Sequence, residues 1–492
     1  MKEQLQQLPN ARADEHDTLH YQAIVIGAGQ GGGPLAGALA KSGKRVALIE
    51  REHVGGTCVN VGCTPTKTMV ASAGAAELAR RGAEYGVSSG PVSVDLEQVR
   101  ARKQSIVEMF RNGSRDSLER IEALDLIFAD ARFTGPRRIE VSLEGATLEL
   151  TADYVIINVG TRPATLGIPG IDEIEPLDST SIMELKRLPR HLLVVGGGYV
   201  GVEFAQMFRR FGSEVTLLQH GDQLLTREDA DVASTLQEIL TDDGIEVVTG
   251  AEVLSASKSA DGVELTAKVG GETRRFNGSH LLAAVGRRPN TDSLGLESAG
   301  VSVGDRGYVE VDEQLRTTAE GVWALGDVKG GPAFTHISYD DYRIVRDRLL
   351  GAGERTVADR QTPYTVYTDP QLGRVGMSED EARAAGRRVG IAKMPAKRAA
   401  RAIETGNTRG LWKAVVDLDS EEILGVAILG HEGGEVMSVV QVAMMGGLSY
   451  KALRDGVFAH PSYAESLNNL FTTLGSDPVA QSPPAADATS AS

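Results

Sequence analysis

Short apolar runs alternate with amphipathic stretches and glycine-rich turns over most of the chain. Residues 21–26 and 45–49 are apolar runs with the length of buried strands, and residues 34–42 between them have helical spacing. A second strand-turn-helix-strand unit begins at residue 192. Strands that alternate with helices in this way are typical of α/β domains with parallel sheets, and that is the predicted fold class.

Two longer segments, 66–86 and 96–122, have the pattern of helices. From residue 362 onward the pattern changes to strands and two helices, 433–445 and 462–473, without the glycine-rich turns of the earlier units. This part of the chain is predicted to be a separate α+β domain. Its stretch 436–448 is apolar and rich in glycine, which suits either an interface between two copies or ordinary core.

Length and charge narrow the functional classes. A chain of 492 residues predicts about three domains. The formal net charge of −16 argues against a nucleic-acid partner, because such proteins need a basic surface. No apolar run reaches the roughly 18 residues of a membrane-spanning helix, so no membrane partner is expected. The polar N-terminus lacks a secretory signal, and the cytoplasm is therefore the expected location.

The first glycine-rich turn follows the strand at 21–26 and has the spacing Gly27-x-Gly29-x-x-Gly32. Glycine at these positions permits a tight turn, a close approach of the backbone to a pyrophosphate, and close helix–strand packing. Glu50 ends the next strand, 23 positions after Gly27, where an acidic residue can bind the hydroxyl groups of a ribose. A dinucleotide site is therefore predicted here.

A second turn of the same spacing follows the strand at 192–195 and contains Gly196, Gly198 and Gly201. One such turn is weak evidence, because the motif also occurs in ordinary turns. Two turns, each in a strand-turn-helix-strand setting, indicate two dinucleotide sites.

The two sites differ where the ribose is recognised. Gln219 stands 23 positions after Gly196, the place that Glu50 holds in the first unit. A carboxylate there would repel a 2′-phosphate, whereas Gln219 would not, and His220 or Arg227 could attract one. NADPH is therefore favoured over NADH. The alternative is that Gln219 simply hydrogen-bonds the ribose of NADH.

The chain has only two cysteines, Cys58 and Cys63, and a protein that keeps one close pair is expected to use it in chemistry. A regular helix would hold them too far apart for a disulfide, so pairing requires a distorted turn, which Gly62 and Pro65 favour. The alternative is a structural staple, but so short a loop removes little entropy from the unfolded chain. Two cysteines and scattered histidines predict no bound metal.

The run Gly55-Gly-Thr-Cys58-Val-Asn-Val-Gly-Cys63-Thr-Pro-Thr-Lys67 resembles the active-site signature of the pyridine nucleotide-disulfide oxidoreductases, which include lipoamide dehydrogenase, glutathione reductase and mercuric reductase. The resemblance covers residues 20–475. It includes the strand-glycine elements that close the two nucleotide domains, at 153–160 and 281–286, and a second flavin motif at 321–327. At the C-terminus, the run His-Pro-Ser-x-x-Glu at 460–465 resembles the family's His-Pro-Thr-x-x-Glu, with Ser in place of Thr.

The resemblance implies FAD as cofactor and NAD(P)H as electron donor. The residues implied to contact the two cofactors are Gly27, Gly29, Gly32, Glu50, Gly56, Thr57, Lys67, Gly160, Gly326, Asp327, Gly196, Gly198, Tyr199, Gly201, Gln219, His220 and Gly286. Hydride would reach one face of the flavin near Lys67 and Glu203, with Tyr199 gating the nicotinamide pocket. Asp327 would hold the ribityl chain.

On the other face of the flavin, the resemblance implies a reducible disulfide. Cys63 would be the thiolate next to the flavin, and Cys58 the interchange thiol that meets substrate. His460, oriented by Glu465, would be the acid/base for Cys58, because a histidine titrates near neutral pH. Since this histidine would come from the partner subunit, a symmetric homodimer is expected.

These assignments divide the chain into predicted domains. The FAD-binding domain is discontinuous, at 20–165 and 290–358, the NAD(P)-binding domain lies at 166–289, and the dimerisation domain at 360–475. Residues 1–20 are expected to be a flexible extension, and 476–492 a disordered tail.

The acceptor stays open between several classes. The stretches 66–68, 334–346 and 460–471 resemble in particular the reactive-chlorine-resistance reductases, which are mercuric-reductase-like flavoproteins. That resemblance suggests a small oxidant such as hypothiocyanite, a disulfide, or a metal ion such as Cu(II). Mercuric reductases carry a C-terminal cysteine pair that this chain lacks. Dihydrolipoamide dehydrogenase is the alternative enzyme, and a non-catalytic flavin-binding scaffold or signalling protein is the alternative from another class.

Overall fold

The computed structural model describes residues 12–13, 19–143, 146–260, 262–358 and 360–474. The predicted tail at 476–492 and nearly all of the predicted extension at 1–20 lie outside the described residues.

The first sheet is an eight-stranded sheet built around β2. The elements of the first third of the chain are β1 (Arg12–Ala13), β2 (Leu19–Ile26), α1 (Gly32–Lys41), β3 (Val46–Glu50), α2 (Gly56–Asn60), α3 (Cys63–Arg80), α4 (Leu96–Glu119), β4 (Leu124–Phe128), β5 (Ala131–Gly135), β6 (Arg138–Leu143), β7 (Ala146–Ile157) and β8 (Thr161–Pro163). The strands run in the order β4-β3-β2-β7-β6-β5, with β1 beside β2. Because β2 pairs in parallel with β3 and β7, their carboxyl ends share one edge.

The second sheet is parallel and has four strands in the order β11-β10-β9-β15. The elements of this region are β9 (His191–Val195), α5 (Tyr199–Phe211), β10 (Glu214–Leu218), α6 (Ala230–Asp242), β11 (Glu246–Val248), β12 (Ala251–Ser259), β13 (Gly262–Val269), β14 (Glu272–Gly278), β15 (His280–Ala283) and β16 (Arg287–Pro289). Strands β12 to β14 form an antiparallel sheet beside it, and β16 returns to pair with β8.

The C-terminal sheet is antiparallel, in the order β18-β19-β22-β21-β20. The remaining elements are β17 (Val322–Ala324), α7 (Thr335–Leu350), β18 (Tyr364–Val366), β19 (Gln371–Gly376), α8 (Glu379–Ala384), β20 (Val389–Pro395), α9 (Ala400–Glu404), β21 (Leu411–Asp417), β22 (Ile423–Gly430), α10 (Gly433–Met445), α11 (Tyr450–Asp455) and α12 (Ser466–Thr472). Strand β17 pairs in parallel with β7, so this late segment completes the first sheet.

The α/β prediction is confirmed, and the burial of the strands explains why the pattern was readable. Strands β3, β9 and β10 are buried at four of their five positions, because helices and other sheets cover both faces. Such strands form continuous apolar runs rather than alternating ones. The predicted domain limits stay a prediction, although the pairing of β17 with β7 supports a discontinuous first domain.

Two predicted helices need correction. The helix expected at 66–86 begins earlier, at Cys63, and ends at Arg80, where a 3₁₀ helix (Arg81–Tyr85) continues the chain. Pro65 is tolerated because the first turn of a helix has no intrahelical use for its N–H groups. The helix expected at 462–473 begins only at Ser466, because the Ser462 hydroxyl accepts from Glu465 N–H and forms a local turn before it.

Candidate functional site

The two cysteines flank a break between helices α2 and α3. Gly62 lies in the break with φ −127° and ψ −112°, which separates the last turn of α2 from Cys63, the first residue of α3. The Asn60 side chain fixes the loop, since its Nδ2 donates to the carbonyl oxygens of Val54 at 3.0 Å and Gly56 at 2.9 Å. The distorted turn expected from Gly62 is therefore present.

The two thiols shift each other's pKa in opposite directions. Both are free, Cys58 half-buried and Cys63 exposed, and Cys63 Sγ lies 3.2 Å from Thr335 Oγ1. A hydrogen bond from Cys58 lowers the pKa of Cys63 to about 6, although burial opposes the shift, and Thr335 and Lys67 contribute to it. The same hydrogen bond raises the pKa of Cys58. At neutral pH the reduced pair therefore carries one thiolate, on Cys63.

Thr335 was not predicted from the sequence. It is the first residue of α7, and its hydroxyl contacts Cys63 although 272 positions separate the two residues. The long helix that follows contributes a favourable N-terminal dipole near the thiolate. A threonine that starts a helix is common, so only the folded chain distinguishes this one.

The first glycine-rich turn is a tight cradle. A Cβ on Gly27, whose φ is +101°, would lie 2.4 Å from the Asn158 carbonyl oxygen, and one on Gly32 would lie 2.1 Å from the Gly27 carbonyl oxygen. The Asn158 side chain, which is 7% exposed, donates from Nδ2 to the Gly27 carbonyl oxygen at 3.0 Å. Gly29 faces this amide as well. The turn therefore accepts no side chain at these positions.

The acidic residue expected at the ribose folds back onto the turn. Glu50 Oε2 accepts from Ala28 N–H at 2.8 Å, and its Oε1 accepts from Glu52 N–H at 2.9 Å. Gly56 adopts φ +59°, and a Cβ there would lie 2.8 Å from Gly29 Cα, so the cysteine loop packs directly on the turn. Thr57 next to it accepts Val61 N–H through its carbonyl oxygen at 2.9 Å.

Asp327 lies on the same side of the first sheet. Its Oδ2 accepts from Thr161 Oγ1 at 3.2 Å, and burial raises the pKa of this carboxyl although the Arg287 charge opposes the shift. Arg287 in turn donates from Nε to Thr161 Oγ1 at 2.7 Å. Gly326 N–H donates to the fully buried Asp341 at 2.8 Å, which fixes the backbone before Asp327. Gly160, adjacent to Thr161, has φ +63°.

The second turn repeats the cradle. A Cβ on Gly196, at φ +111°, would lie 2.4 Å from the Ala284 carbonyl oxygen, and one on Gly201 would lie 1.8 Å from the Gly196 carbonyl oxygen. At Gly198 and at Gly286, a Cβ would contact no described protein atom within 4 Å. Neighbouring protein does not require glycine at Gly198, whereas the approach of a pyrophosphate would. Gly286 has φ +118°, a backbone conformation that itself favours glycine.

Gln219 takes the place of Glu50 at the second turn. Its Oε1 accepts from Gly197 N–H at 2.7 Å, so its Nε2 is the group left for a ligand. His220 and Arg227 are exposed near it in sequence.

An ion pair links the cysteine helix to the second turn. Lys67 Nζ, on α3, donates to Glu203 Oε2 at 2.7 Å, and Glu203 on α5 is 5% exposed. The aromatic ring of Tyr367 lies 4.8 Å from Lys67 Nζ. Tyr199, at the start of α5, packs against Phe334, with ring centroids 5.8 Å apart. The three predicted residues Lys67, Glu203 and Tyr199 therefore belong to one region, next to the helix start that contacts Cys63.

The predicted acid/base pair forms within one chain. His460 Nδ1 lies 2.9 Å from Glu465 Oε2, which orients the imidazole and leaves Nε2 outward. The His460 side chain is 66% exposed. It therefore lies at the surface of the C-terminal sheet domain.

The described residues fit an FAD in the first turn. The cradle excludes side chains at Gly27 and Gly32, and Glu50 and Asp327 lie at the carboxyl edge of the first sheet. FAD there would be held by the turn, Glu50 and Asp327. Among the described residues no group of three or more His, Cys, Asp or Glu could hold a metal ion. No described helix combines the length and the apolar character needed to cross a membrane.

Known proteins match this arrangement along nearly the whole chain. Residues 21–341 match the family described as pyridine nucleotide-disulphide oxidoreductase, and residues 362–471 match its dimerisation domain. The chain is 41% identical to the probable pyridine nucleotide-disulfide oxidoreductase RclA of Escherichia coli, over 92% of this chain and 99% of that protein. It is 36% identical to a dihydrolipoyl dehydrogenase of Thermus scotoductus, over 91% of this chain and 96% of that protein.

The chain is also similar to a mercuric reductase and to a flavoprotein of solved structure. A mercuric reductase of Staphylococcus aureus is 32% identical, over 93% of this chain and 83% of that protein. The solved Cu(II) complex of the HOCl-induced flavoprotein disulfide reductase RclA from Escherichia coli superimposes with a TM-score of 0.84 at 40% identity, over 92% of this chain and 99% of that chain. These matches cover nearly the whole chain, and the glycine cradles, the thiol pair and the Lys67–Glu203 ion pair agree with them. This chain therefore belongs to the pyridine nucleotide-disulphide oxidoreductase family.

Proposed function

We propose that this protein is an NADPH-dependent flavoprotein reductase whose Cys58–Cys63 pair delivers electrons to Cu(II) or to a small oxidant such as hypothiocyanite. The observation that carries the proposal is the pair of free thiols on either side of the helix break, with Cys63 Sγ 3.2 Å from Thr335 Oγ1 at the start of α7. The pKa of Cys63 is lowered to about 6 and that of Cys58 is raised. Such a pair holds one nucleophile and one proton donor at neutral pH. The proposal takes its acceptor from the similarity to the HOCl-induced reductase whose Cu(II) complex has been solved.

FAD supplies the two-electron link between the pyridine nucleotide and the disulfide when it is bound. With Cu(II) as acceptor, the reduced pair, which holds one thiol and one thiolate at neutral pH, gives one electron to each of two Cu(II) ions, closes to a disulfide and releases one proton. The two electrons and the proton of the hydride from NADPH would then restore the thiol and the thiolate. Thiolate sulfur suits the Cu(I) product, and Cys58, the thiol that would meet the metal ion, is only half-buried.

The two thiols and the residues around them would have different roles. Cys58 would be the thiol that meets substrate, and Cys63 would stay deprotonated beside the flavin, with Thr335 and Lys67 supporting its charge. Glu465 would hold His460 through Nδ1. The other ring nitrogen, Nε2, would then accept and return the proton of Cys58 in the partner subunit.

On the nicotinamide side, Glu203 would hold the Lys67 ammonium at the point of hydride transfer. Tyr199 would cover the nicotinamide, from the start of α5. Both roles require these groups to be ordered, and the burial of Glu203 supports that requirement.

The preference for NADPH follows from which atom Gln219 offers to the nucleotide. Because Oε1 accepts from Gly197 N–H, the amide nitrogen is left as a hydrogen-bond donor, and a donor suits a 2′-phosphate. A glutamate at position 219 would instead present a negatively charged oxygen, which would repel the 2′-phosphate. His220 and Arg227 are exposed and would add positive charge when a phosphate is present.

A homodimer is proposed because the chain contains the family's dimerisation domain. Helix α10 and the residues after it leave large apolar side chains exposed in the single chain: Val442 at 67%, Met445 at 70%, Leu448 at 48% and Val457 at 102%. An apolar surface of this kind is typical of an interface. The stretch 436–448 therefore contributes both core, through Val436 and Val440, and a proposed interface.

Dihydrolipoamide dehydrogenase is a second candidate, because one relative of that name is 36% identical and His460 with Glu465 is present. A screen of NADPH oxidation by the purified holoenzyme under anaerobic conditions separates the candidates. Cu(II), hypothiocyanite, lipoamide, glutathione disulfide and Hg(II) serve as acceptors, and Cu(I) is trapped by a chelator. Turnover with Cu(II) or hypothiocyanite that is lost in Cys58→Ser supports the proposal. Turnover with lipoamide alone would contradict it, and wild-type turnover in Cys58→Ser would remove the thiol pair from the reaction.

A further inference from the structure

Helix α5 carries a row of buried polar side chains that leads away from the proposed hydride-transfer site. Glu203, Gln206 and Arg210 are three and four residues apart, so they lie on one face of the helix. Gln206 is 3% and Arg210 is 6% exposed, similar to Glu203. Buried polar groups are costly unless they are bonded, so their partners define what this face does.

The partners of all three residues lie in one short segment, 367–369, between β18 and β19. Tyr367 N–H donates to Glu203 Oε1 at 2.8 Å, which leaves Oε2 for Lys67. Gln206 Nε2 donates to the Asp369 carbonyl oxygen at 2.9 Å, and Asp369 N–H donates back to Gln206 Oε1 at 2.7 Å. Arg210 Nη1 donates to Asp369 Oδ2 at 2.7 Å.

The network is closed by two further charges. Asp243 Oδ2 accepts a second hydrogen bond from Gln206 Nε2 at 2.7 Å. Arg409 donates to Asp243 and, at 3.1 Å, to the Asp369 carbonyl oxygen. Burial raises the pKa of Asp369, but the charge and hydrogen bond of Arg210 outweigh it and hold this pKa below its usual range. Asp369 therefore stays ionised, and Arg210 stays paired.

We infer that Gln206 and Arg210 are positioning residues for Glu203, and through it for Lys67, and that they act by fixing α5 against segment 367–369. The inference rests on the proposed function, in which Lys67 and Glu203 lie at the point of hydride transfer. The Glu203 side chain, which is carried by α5, hydrogen-bonds to two other parts of the chain, α3 through Lys67 and segment 367–369 through Tyr367. A shift or rotation of α5 would break one of these bonds. Gln206 and Arg210 resist that movement because they bond to the same segment one and two turns further along.

Stability alone is a poor explanation for this row. Replacing buried ion pairs by apolar residues of similar volume is often neutral or stabilising. Hydrogen bonds, unlike apolar contacts, fix the orientation of one element against another. Geometry matters at this place, since a displacement of about 1 Å at a reacting centre can cost roughly 100-fold in rate.

The test compares variants of the row with a matched control. Gln206→Met keeps the length of the side chain, and Arg210→Met keeps most of its aliphatic stem. Both variants remove the hydrogen bonds. Lys103→Met is the control, because Lys103 is a 2% exposed residue that joins α4 to Glu184 and takes no part in the row. Each FAD-loaded protein is mixed rapidly with NADPH, or with NADPH deuterated at the transferred position, and reduction of the flavin is followed. FAD content, melting temperature and reoxidation by Cu(II) are measured in parallel.

In Gln206→Met and Arg210→Met, we expect flavin reduction to slow by about tenfold, with a larger isotope effect and unchanged affinity for NADPH, because hydride transfer loses its geometry. FAD content and reoxidation should match the wild type, and Arg210→Lys should recover part of the rate. Lys103→Met should lose stability and retain the wild-type reduction rate. A loss of stability without slower hydride transfer in both row variants would overturn the inference.

A further variant, Glu203→Gln, separates this inference from the proposed function. If Glu203→Gln slows hydride transfer while Gln206→Met and Arg210→Met do not, the positioning role is wrong and the proposed site stands. If Glu203→Gln reduces its flavin at the wild-type rate, the proposed role of Glu203 fails, and the positioning role fails with it. Where Arg210→Met does not fold, Arg210→Lys together with Gln206→Met decides the outcome.

Discussion

At the first glycine-rich turn the Glu50 carboxylate accepts from Ala28 N–H, and at the second turn the Gln219 amide accepts from Gly197 N–H. The bond is the same in both turns, and so is its position relative to the first glycine, but the free group differs. Glu50 offers a negative oxygen, Oε1, which also accepts from Glu52 N–H, whereas Gln219 offers an N–H donor. The backbone of the turn therefore has the conformation of a dinucleotide cradle in both units, and we propose that the one side chain beside it sets which nucleotide is preferred.

The two turns also differ in the residue that lies opposite the first glycine on the neighbouring strand. The residue opposite Gly27 is Asn158, and the residue opposite Gly196 is Ala284. Asn158 bonds its side chain to the turn, and a Cβ on Gly326 would lie 3.1 Å from its Oδ1, so it also borders the motif that contains Asp327. Ala284 has no such group. Side chains therefore join the first turn to its surroundings more closely than the second. This difference suits the proposed roles, in which the first turn holds FAD and the second binds and releases NADPH.

The largest effect is expected from adding one methyl group to each turn. Gly32→Ala should give a protein without bound flavin, because the new Cβ would lie 2.1 Å from the Gly27 carbonyl oxygen and the cradle must open. Gly201→Ala should keep its flavin and lose reduction by NADPH, because the corresponding clash is 1.8 Å from the Gly196 carbonyl oxygen. Flavin absorbance of the purified protein and its bleaching by NADPH measure the two outcomes. If Gly201→Ala loses its flavin while Gly32→Ala retains it, the two cradles are assigned to the wrong cofactors.

The exchange of the ribose residue should have the next largest effect. Gln219→Glu should reverse the nucleotide preference by roughly 100-fold in kcat/KM, because a carboxylate beside a 2′-phosphate costs several kcal/mol. The rate with NADH should fall little or rise. Gln219→Met is the control that removes the donor without adding charge. An unchanged preference in Gln219→Glu would place the 2′-position elsewhere.

The asymmetry between the turns extends to the thiols, since the cysteine loop packs on the first turn through Gly56 and Gly29. The pKa of Cys63, lowered to about 6 by the hydrogen bond from Cys58, predicts that the thiolate of the reduced protein is present above this pH and is lost as pH falls through it. Cys58→Ala removes the donor, so the loss should occur at a higher pH. Thiolate absorbance during a pH titration measures both midpoints, with Cys58→Ser, which keeps a donor, as the control. Equal midpoints in wild type and Cys58→Ala would contradict the pairing.

The smallest effect is expected from the residue that differs between the closing strands. Asn158→Ala makes the first turn resemble the second and removes the hydrogen bond to the Gly27 carbonyl oxygen. The free energy of unfolding should fall by about 1 kcal/mol, and FAD affinity should fall about tenfold. Chemical denaturation and flavin release measure these changes, and NADPH affinity should stay the same. A larger loss of NADPH than of FAD affinity would mean that Asn158 serves the other nucleotide.

Most of the nucleotide sites could be predicted because their signals are local. Gly27, Gly32 and Glu50 act within one strand-turn-helix-strand unit, and the same holds for Gly196, Gly201 and Gln219. The contacts of Thr335, Asn158 and Arg287 could not be predicted, because each depends on segments more than one hundred positions apart in the chain. Nothing in the local pattern marks a threonine at a helix start as a thiol ligand.

By itself, the sequence determined two glycine cradles, a thiol pair with a break between its members, and a change of fold class after residue 362, because each depends on backbone conformation within a few residues. Only the tertiary structure decided that β17 completes the first sheet, that Thr335 meets Cys63, and that segment 367–369 bonds to α5. These contacts form only when separate elements pack, since hydrogen bonds between distant segments need the geometry that the buried core supplies.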